Sequence, residues 1–163
     1  MLRTRWLLAV FFVVFGSLDL GNAACPNAWD SWSTFCYLFN QEDGTWEDAE
    51  QRCAALGSHL ASSHSAFENH FILGKAFEHF NKAGVMWIGG DNFNSNTQLY
   101  TWTDGTTFDY EFWKPHEPPS KGEYCIAMTY QNARVSIKSG YPGEWQAEKC
   151  GTRLPFVCKM NAT

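Results

Sequence analysis

The side chains with the clearest chemistry in this sequence are its six cysteines. They are Cys25, Cys36, Cys53, Cys125, Cys150 and Cys158. In an oxidising compartment, an even number of cysteines favours three disulfides, although sequence alone leaves their pairing open. Structural zinc is the alternative use of these thiolates. It is disfavoured because no two cysteines form a C-x₂₋₄-C pair and no His-Glu-x-x-His motif occurs.

The N terminus carries the pattern of a secretory signal peptide. Arg3 and Arg5 give it a basic start, an apolar run follows over residues 6–15, and small residues precede Ala24. The run is shorter than the ~20 apolar residues of a membrane span, which argues against the alternative of an uncleaved anchor. We predict that residues 1–23 are a signal peptide and that the protein is secreted and extracellular, without membrane insertion.

The rest of the sequence has the length of one domain and an acidic composition. We predict a single domain over residues 24–160, with a short tail at 161–163. The whole chain carries 12 Lys and Arg against 17 Asp and Glu, a formal net charge of −5. This balance argues against nucleic acid as a partner, because phosphate backbones are bound by basic surfaces. No heptad repeat supports a coiled-coil oligomer.

Motifs of common enzyme classes are missing from the sequence. It contains no Gly-x-Ser-x-Gly elbow, no phosphate-binding loop and no metalloprotease motif. These patterns place a nucleophile, a phosphate or a catalytic metal, and the cysteines are already assigned to disulfides. We therefore predict that the protein is not an enzyme.

Two amphipathic helices are predicted in the first half of the domain. Thr45 and Asp48 form a capping box, as do Ser65 and Glu68. The residues at helical spacing behind the first box are Trp46, Ala49, Cys53 and Leu56. Those behind the second are Phe67, Phe71, Gly74 and Phe77. We predict that each set is the buried face of its helix.

The second half of the sequence has short aromatic and β-branched runs separated by turn residues. The runs are Met86–Ile88, Tyr100–Trp102, Phe112–Trp113, Cys125–Met128 and Phe156–Cys158. Helices followed by strands predict an α+β fold with an antiparallel sheet. Residues 114–124 contain three prolines and a glycine, so they cannot form regular structure and are the candidate functional loop.

Nine short segments have an order and spacing shared with a known family. They are Cys25-Pro26, Cys36-Tyr37, the helix ending in Cys53, Trp87–Gly90, Trp102–Gly105, Trp113–Pro118, Gly122–Cys125, Glu144-Trp145 and Pro155–Cys158. Together they resemble the C-type lectin domain over essentially the whole mature chain. The resemblance implies a C-type-lectin-like α+β fold with two helices, antiparallel sheets and a long irregular loop. It also implies the disulfides Cys25–Cys36, Cys53–Cys158 and Cys125–Cys150.

The tryptophans of these motifs are interpreted as core residues. They are Trp87, Trp102, Trp113 and Trp145. A buried indole contributes a large apolar area and needs one hydrogen-bond acceptor for its N–H, which suits a core position better than a sugar-stacking one.

The resemblance also implies a calcium and sugar site. Sugar-binding members of the family hold Ca²⁺ with a Glu-Pro-Asn or Gln-Pro-Asp motif, a second Glu and an Asn-Asp pair, and sugar hydroxyls complete the shell. Glu117 and Glu123 match the two glutamates, and Gln146 stands at the position of the paired Asn. Pro119 and Ala147 replace the other two ligands and carry no side-chain oxygen. Candidate calcium and carbohydrate ligands are therefore Glu117, Glu123 and Gln146, with calcium bound weakly or not at all.

Two functions from different classes follow. The first is a secreted carbohydrate-binding protein of C-type lectin type with a degenerate calcium and sugar site, whose partner is a glycan or glycoprotein. The alternative is a calcium-independent C-type-lectin-like domain that binds a protein or another non-sugar ligand. Tyr124, Tyr130 and Tyr141 are the candidate anchors of that second surface, since aromatic side chains are frequent interface hot spots. For a calcium-loaded form, the resemblance further implies a cis peptide bond at Glu117–Pro118.

Overall fold

The computed structural model describes residues 24–80, 83–93, 99–130 and 142–163. The predicted signal peptide at 1–23 and the predicted anchor Tyr141 lie outside these residues. None of the described helices is both long and apolar enough to cross a membrane.

The described residues form two helices and eight strands. In chain order they are β1 (Asp30–Trp32), β2 (Phe35–Gly44), α1 (Trp46–Ala54), β3 (His59–Leu60), α2 (Ala66–His79), β4 (Gly84–Asp91), β5 (Thr101–Trp102), β6 (Cys125–Tyr130), β7 (Trp145–Glu148) and β8 (Leu154–Asn161). The strand order in the sheet is β1-β2-β8-β4-β6-β7, with β3 added to β8 and β5 added to β4. The predicted α+β class and the two helices are confirmed.

The sheet is antiparallel except between β4 and β8, where Trp87 lies opposite Phe156 in a parallel pair. The other pairs of named strands among the described residues are antiparallel, as predicted. The strand β8 pairs with β2 at seven positions and with β4 at one, so its direction follows β2. The predicted strand Phe112–Trp113 is wrong, because only a single bridge from Trp113 to Trp145 forms there.

Helix α1 begins at the predicted capping box. The Asp48 N–H donates to Thr45 Oγ1 at 3.1 Å, and the Thr45 N–H donates to Asp48 Oδ2 at 3.3 Å. Trp46, Ala49 and Cys53 are buried, as predicted. Leu56 lies beyond the helix end and is exposed, because the chain leaves the helix after Ala54.

Helix α2 begins where predicted but buries a different face. The Glu68 N–H donates to Ser65 Oγ at 3.2 Å and caps the helix. The predicted stripe is wrong at Phe67 and Phe77, which are 83% and 36% exposed, whereas Phe71 packs against the core. The buried side chains are Glu68, Asn69, Ile72, Leu73 and Ala76. The face that contains Glu68 and Asn69 turns inward because both have hydrogen-bond partners inside the molecule.

Three disulfides attach neighbouring segments to the strands of the sheet. They join Cys25 to Cys36, Cys53 to Cys158 and Cys125 to Cys150, which are the pairings that the resemblance implies. The second bridge links α1 to β8 across 105 positions, and the third links β6 to the turn after β7 across 25. The first bridge attaches the segment before β1 to β2.

Candidate functional site

The loop at residues 114–124 begins beside strand β7. The Trp145 N–H donates to the Phe112 carbonyl at 2.7 Å, and the Lys114 N–H donates to the Trp145 carbonyl at 2.8 Å. These two bonds form the parallel bridge between Trp113 and Trp145. The first residue of the loop is therefore held next to Gln146, although 32 positions separate them in the sequence.

The far end of the loop is held by Asn92, a buried side chain directly after β4. Its Nδ2 donates to the Gly122 carbonyl at 2.9 Å, and its Oδ1 accepts from the Tyr124 N–H at 2.8 Å. The Asn92 N–H in turn donates to the Tyr124 carbonyl at 3.3 Å. No sequence motif marks Asn92 as part of the site. The only signal for it is a polar amide that directly follows an apolar strand.

The loop turns sharply at Glu117. The Glu117–Pro118 bond is cis, His116 has a φ of 69°, and the Glu117 N–H donates to the Lys114 carbonyl at 3.0 Å. The Glu117 carboxylate accepts from the Ala147 N–H at 3.2 Å. The structure therefore brings Glu117 against β7, next to Gln146, and joins two of the three predicted site residues.

Lys114 also belongs to this group, although the sequence analysis gave it no role. Its Nζ donates to the Gln146 amide oxygen, and the Gln146 Nε2 donates to Glu148 Oε2 at 3.2 Å. Burial lowers the pKa of Lys114, and nearby Glu144, Glu117 and Glu148 oppose this by favouring the charged form. The net pKa of Lys114 is lowered. The ammonium thus lies among carboxylates in a partly desolvated position.

Glu123, the third predicted ligand, is exposed near the end of the loop. Within the described parts of the chain, no three His, Cys, Asp or Glu side chains are arranged to hold a metal ion. The acidic residues of the loop region therefore do not form a preassembled cluster of carboxylates there. A calcium ion at this place would depend on amide and carbonyl oxygens as well.

Aromatic rings form the base of the site. Trp145 is fully buried, and the centroids of Trp102 and Trp113 lie 5.5 Å and 5.8 Å from its own, both edge to face. Its indole N–H donates to Asn69 Oδ1 at 2.8 Å. The core positions predicted for Trp87, Trp102 and Trp145 are confirmed, while Trp113 is only half-buried.

Tyr100 lies under the loop and packs on Trp113 at a centroid distance of 4.9 Å. The Tyr100 ring is buried, and among the described residues its hydroxyl has no hydrogen-bond partner. Burial raises the pKa of this hydroxyl, and the carboxylate of Glu117 and the phenol of Tyr124 raise it further. The Tyr100 hydroxyl is therefore a buried, neutral phenol at the base of the site.

A second polar group surrounds His64. Its Nδ1 lies 2.7 Å from Asp109 Oδ1, and its Nε2 lies 3.1 Å from the hydroxyls of both Ser62 and Thr106. This order of carboxylate, imidazole and hydroxyl is that of a hydrolase triad. Here, however, both hydroxyls donate to Asp104 and Ser62 is fully buried. We interpret the group as a structural network that joins the loop after β5 to the segment before α2.

The tyrosine surface predicted for the alternative function is partly wrong. Tyr130 is only 6% exposed and packs on Phe80 at a centroid distance of 4.9 Å. It is buried because its ring belongs to the main hydrophobic cluster, where it packs against Phe80. Tyr124 is half-buried, with Lys149 Nζ 4.3 Å from the centre of its ring.

Comparison with known proteins places the chain in a family. The family model of the lectin C-type domain matches residues 42–160. A curated protein named lectin, from Pleurodeles waltl, is 34% identical over 139 residues, which cover 83% of this chain and 75% of that protein. The chain therefore belongs to the C-type lectin family, which is a non-enzymatic kind of domain.

Two solved structures are similar to the molecule over most of its length. The calcium-independent type II antifreeze protein has a TM-score of 0.71 at 29% identity, covering 86% of this chain and 96% of that one. The C-type carbohydrate-recognition domain of cow CD23, solved in the presence of a GlcNAc2Man3 oligosaccharide, has a TM-score of 0.72 at 28% identity. That match covers 86% of this chain and 98% of the CD23 domain. These similarities agree with the C-type-lectin-like fold expected from the sequence.

Proposed function

We propose that this is a secreted carbohydrate-binding protein of C-type lectin type, with a degenerate calcium site. The observation that carries the proposal is the contact between the loop and β7, where the Ala147 N–H donates to Glu117 beside Gln146. Beyond these internal bonds, the carboxylate retains acceptor lone pairs and the amide retains a second N–H, which are the groups that pairs of sugar hydroxyls require. The cow CD23 domain, with its oligosaccharide, supports a glycan as the ligand class.

In our proposal, calcium binds weakly or not at all at this site. The retained oxygens come from Glu117, Glu123, Gln146 and the carbonyl of Ala147, which together reach about six only if both carboxylates bind through two oxygens. Two of these oxygens already accept hydrogen bonds, on Glu117 from Ala147 and on Gln146 from Lys114. The calcium-independent antifreeze protein supports such a state within the same fold.

A glycan array tests the ligand class. The secreted protein is applied alongside Glu117→Ala and Gln146→Ala, with Glu111→Ala as the matched control because Glu111 is exposed just before the loop. We expect the parent and the control to bind the same glycans and both site variants to lose most of the signal. Equal binding by all four proteins would show that the sugar binds elsewhere than at Glu117 and Gln146. An array with no bound glycan would favour the alternative of a protein or other non-sugar ligand.

A further inference from the structure

The position of Lys114 is unusual for a lysine in a loop. Its side chain is half-buried rather than extended into water, and its Nζ donates to the Gln146 amide oxygen. Its backbone N–H is bonded to the Trp145 carbonyl, so the base of the side chain is held against β7. Both ends of Lys114 are therefore attached to the strand that carries Gln146.

The surroundings of the ammonium are acidic. Glu117 reaches the same strand through the Ala147 N–H, and Glu148 accepts from the amide nitrogen of Gln146. Gln146 thus links the ammonium on one side to a carboxylate on the other. A positive charge in this place offsets the repulsion among the carboxylates, and it repels a second cation that approaches the same oxygens.

Gln146 and Glu117 are also the residues that the sequence assigned to calcium. Gln146 has its amide oxygen turned to Lys114, so the oxygen that would bind the ion is already used. Glu117 has one carboxylate oxygen turned to a backbone N–H. The loop is held at its far end by Asn92, which is a neutral amide and needs no ion.

We propose that Lys114 is a built-in counter-ion, whose ammonium takes the place of calcium between the loop and β7. The inference deepens the proposed function and rests on it, because the contact between the loop and β7 is the sugar site only under that proposal. Beyond the ligand oxygens already missing at Pro119 and Ala147, it gives Lys114 a direct part in the metal independence of the site. It follows that the loop keeps its conformation in the presence of a chelator and that added calcium has little effect on it.

The test replaces the ammonium and keeps the apolar stem. Lys114→Met is compared with Lys121→Met, a matched control because Lys121 is an exposed lysine in the same loop. Calcium is titrated while tryptophan fluorescence is followed, and thermal unfolding is measured in chelator and in calcium. We expect the parent and Lys121→Met to be the same in both conditions. Lys114→Met should melt earlier in chelator, recover in calcium and show an apparent calcium affinity at least about tenfold above the parent.

A second variant keeps the proposal falsifiable. Lys114→Arg retains the positive charge, so it should be as insensitive to calcium as the parent. The proposal is overturned if Lys114→Met matches the parent in both measurements, if it fails to fold even with calcium, or if Lys114→Arg gains calcium affinity to the same degree. None of these measurements uses a sugar. A protein that binds no glycan but passes this test would therefore contradict the proposed function and leave the role of Lys114 intact.

Discussion

At the scale of single residues, the interaction that depends most on its surroundings is a buried ion pair. Lys159 Nζ lies 2.5 Å from Glu68 Oε1, and both side chains are 5% exposed or less. Glu68 also accepts from the Tyr37 hydroxyl at 2.5 Å and from the His64 N–H at 2.8 Å. Lys159 also donates to Ser62 Oγ at 3.1 Å. Each charge is compensated by its partner and by these hydrogen bonds, which is the condition under which a buried pair is tolerated.

Removing one member of this pair should be costly. Lys159→Met leaves the Glu68 carboxylate buried without a cation, so we expect a loss of roughly 3–5 kcal/mol in the free energy of unfolding. The control is Lys75→Met, which breaks the partly exposed pairs with Asp30 and Glu78 and should cost about 1 kcal/mol or less. Denaturant unfolding measures both. Equal losses in the two variants, or no recovery when Glu68→Gln is added to Lys159→Met, would contradict this reading.

The resemblance to the C-type lectin domain supplied the three candidate ligands, but it gave no indication of a role for Lys114 or Asn92. Both act through partners about 30 positions away, at Gln146 and at Gly122. Such contacts arise from the pairing of the loop with β7 and with the residue after β4, and no local sequence pattern predicts them. The capping boxes are a contrast, since Thr45 and Asp48 interact across one helical turn and were predictable from their spacing.

At the scale of elements, helix α2 shows where periodicity alone fails. Counting apolar residues favoured the face with Phe67 and Phe77, whereas the helix buries the face with Glu68 and Ile72. A hydrophobicity count treats Glu68 as a solvent-exposed residue because it cannot include Lys159, which lies 91 positions away. The sequence therefore predicted that this helix exists and where it begins. It did not predict which face is buried, because that depends on polar partners far away in the sequence.

Two substitutions on α2 distinguish these faces. Phe67→Ser should change the free energy of unfolding by about 0.5 kcal/mol or less, because Phe67 is 83% exposed. Ile72→Ala should cost about 2–5 kcal/mol, because Ile72 is fully buried and its loss leaves a cavity. Thermal or denaturant unfolding measures the loss in the free energy of unfolding for each variant. A larger loss for Phe67→Ser than for Ile72→Ala would show that the predicted stripe was right after all.

At the scale of the whole molecule, covalent and ionic links connect segments that are distant in sequence. The Cys53–Cys158 bridge closes a loop of 105 positions and, in the chain-entropy account, contributes about 4–5 kcal/mol. Asp30 on β1 binds Lys75 at 3.0 Å and His79 at 2.7 Å on α2. These links depend on pairings that composition could not supply, although the family motifs implied the disulfides.

Asp30 and Asp104 are two partly buried carboxyl groups that should contribute to the loss of stability at acidic pH. Burial alone would raise the pKa of Asp30, but Lys75 and His79 lower it below 3.8. Burial would also raise the pKa of Asp104, but hydrogen bonds from Ser62 and Thr106 outweigh burial and lower it. A group with a lowered folded pKa stabilises the fold fully above its unfolded pKa, and this contribution is lost as pH falls through the folded value. We expect the melting temperature to fall as pH decreases below about 4.

The double variant Asp30→Asn with Asp104→Asn supplies the control for that pH series. It should be less stable than the parent near neutral pH and should show a shallower decline below pH ~4, because the two titrating groups are gone. Thermal unfolding in a series of buffers gives both curves. Parallel curves for the parent and the variant would assign the acid limb to other groups.

The central claim is that glycan binding at the loop and β7 proceeds with Lys114 in the place of calcium. Its most direct test is the affinity of the parent protein for a glycan selected from the array, measured once with calcium and once with excess chelator. We predict the same affinity in both conditions, within about a factor of two, because neither Glu117 nor Gln146 needs an ion to hold its position. A loss of binding in chelator of about tenfold or more would contradict the account, since calcium would then be part of the site.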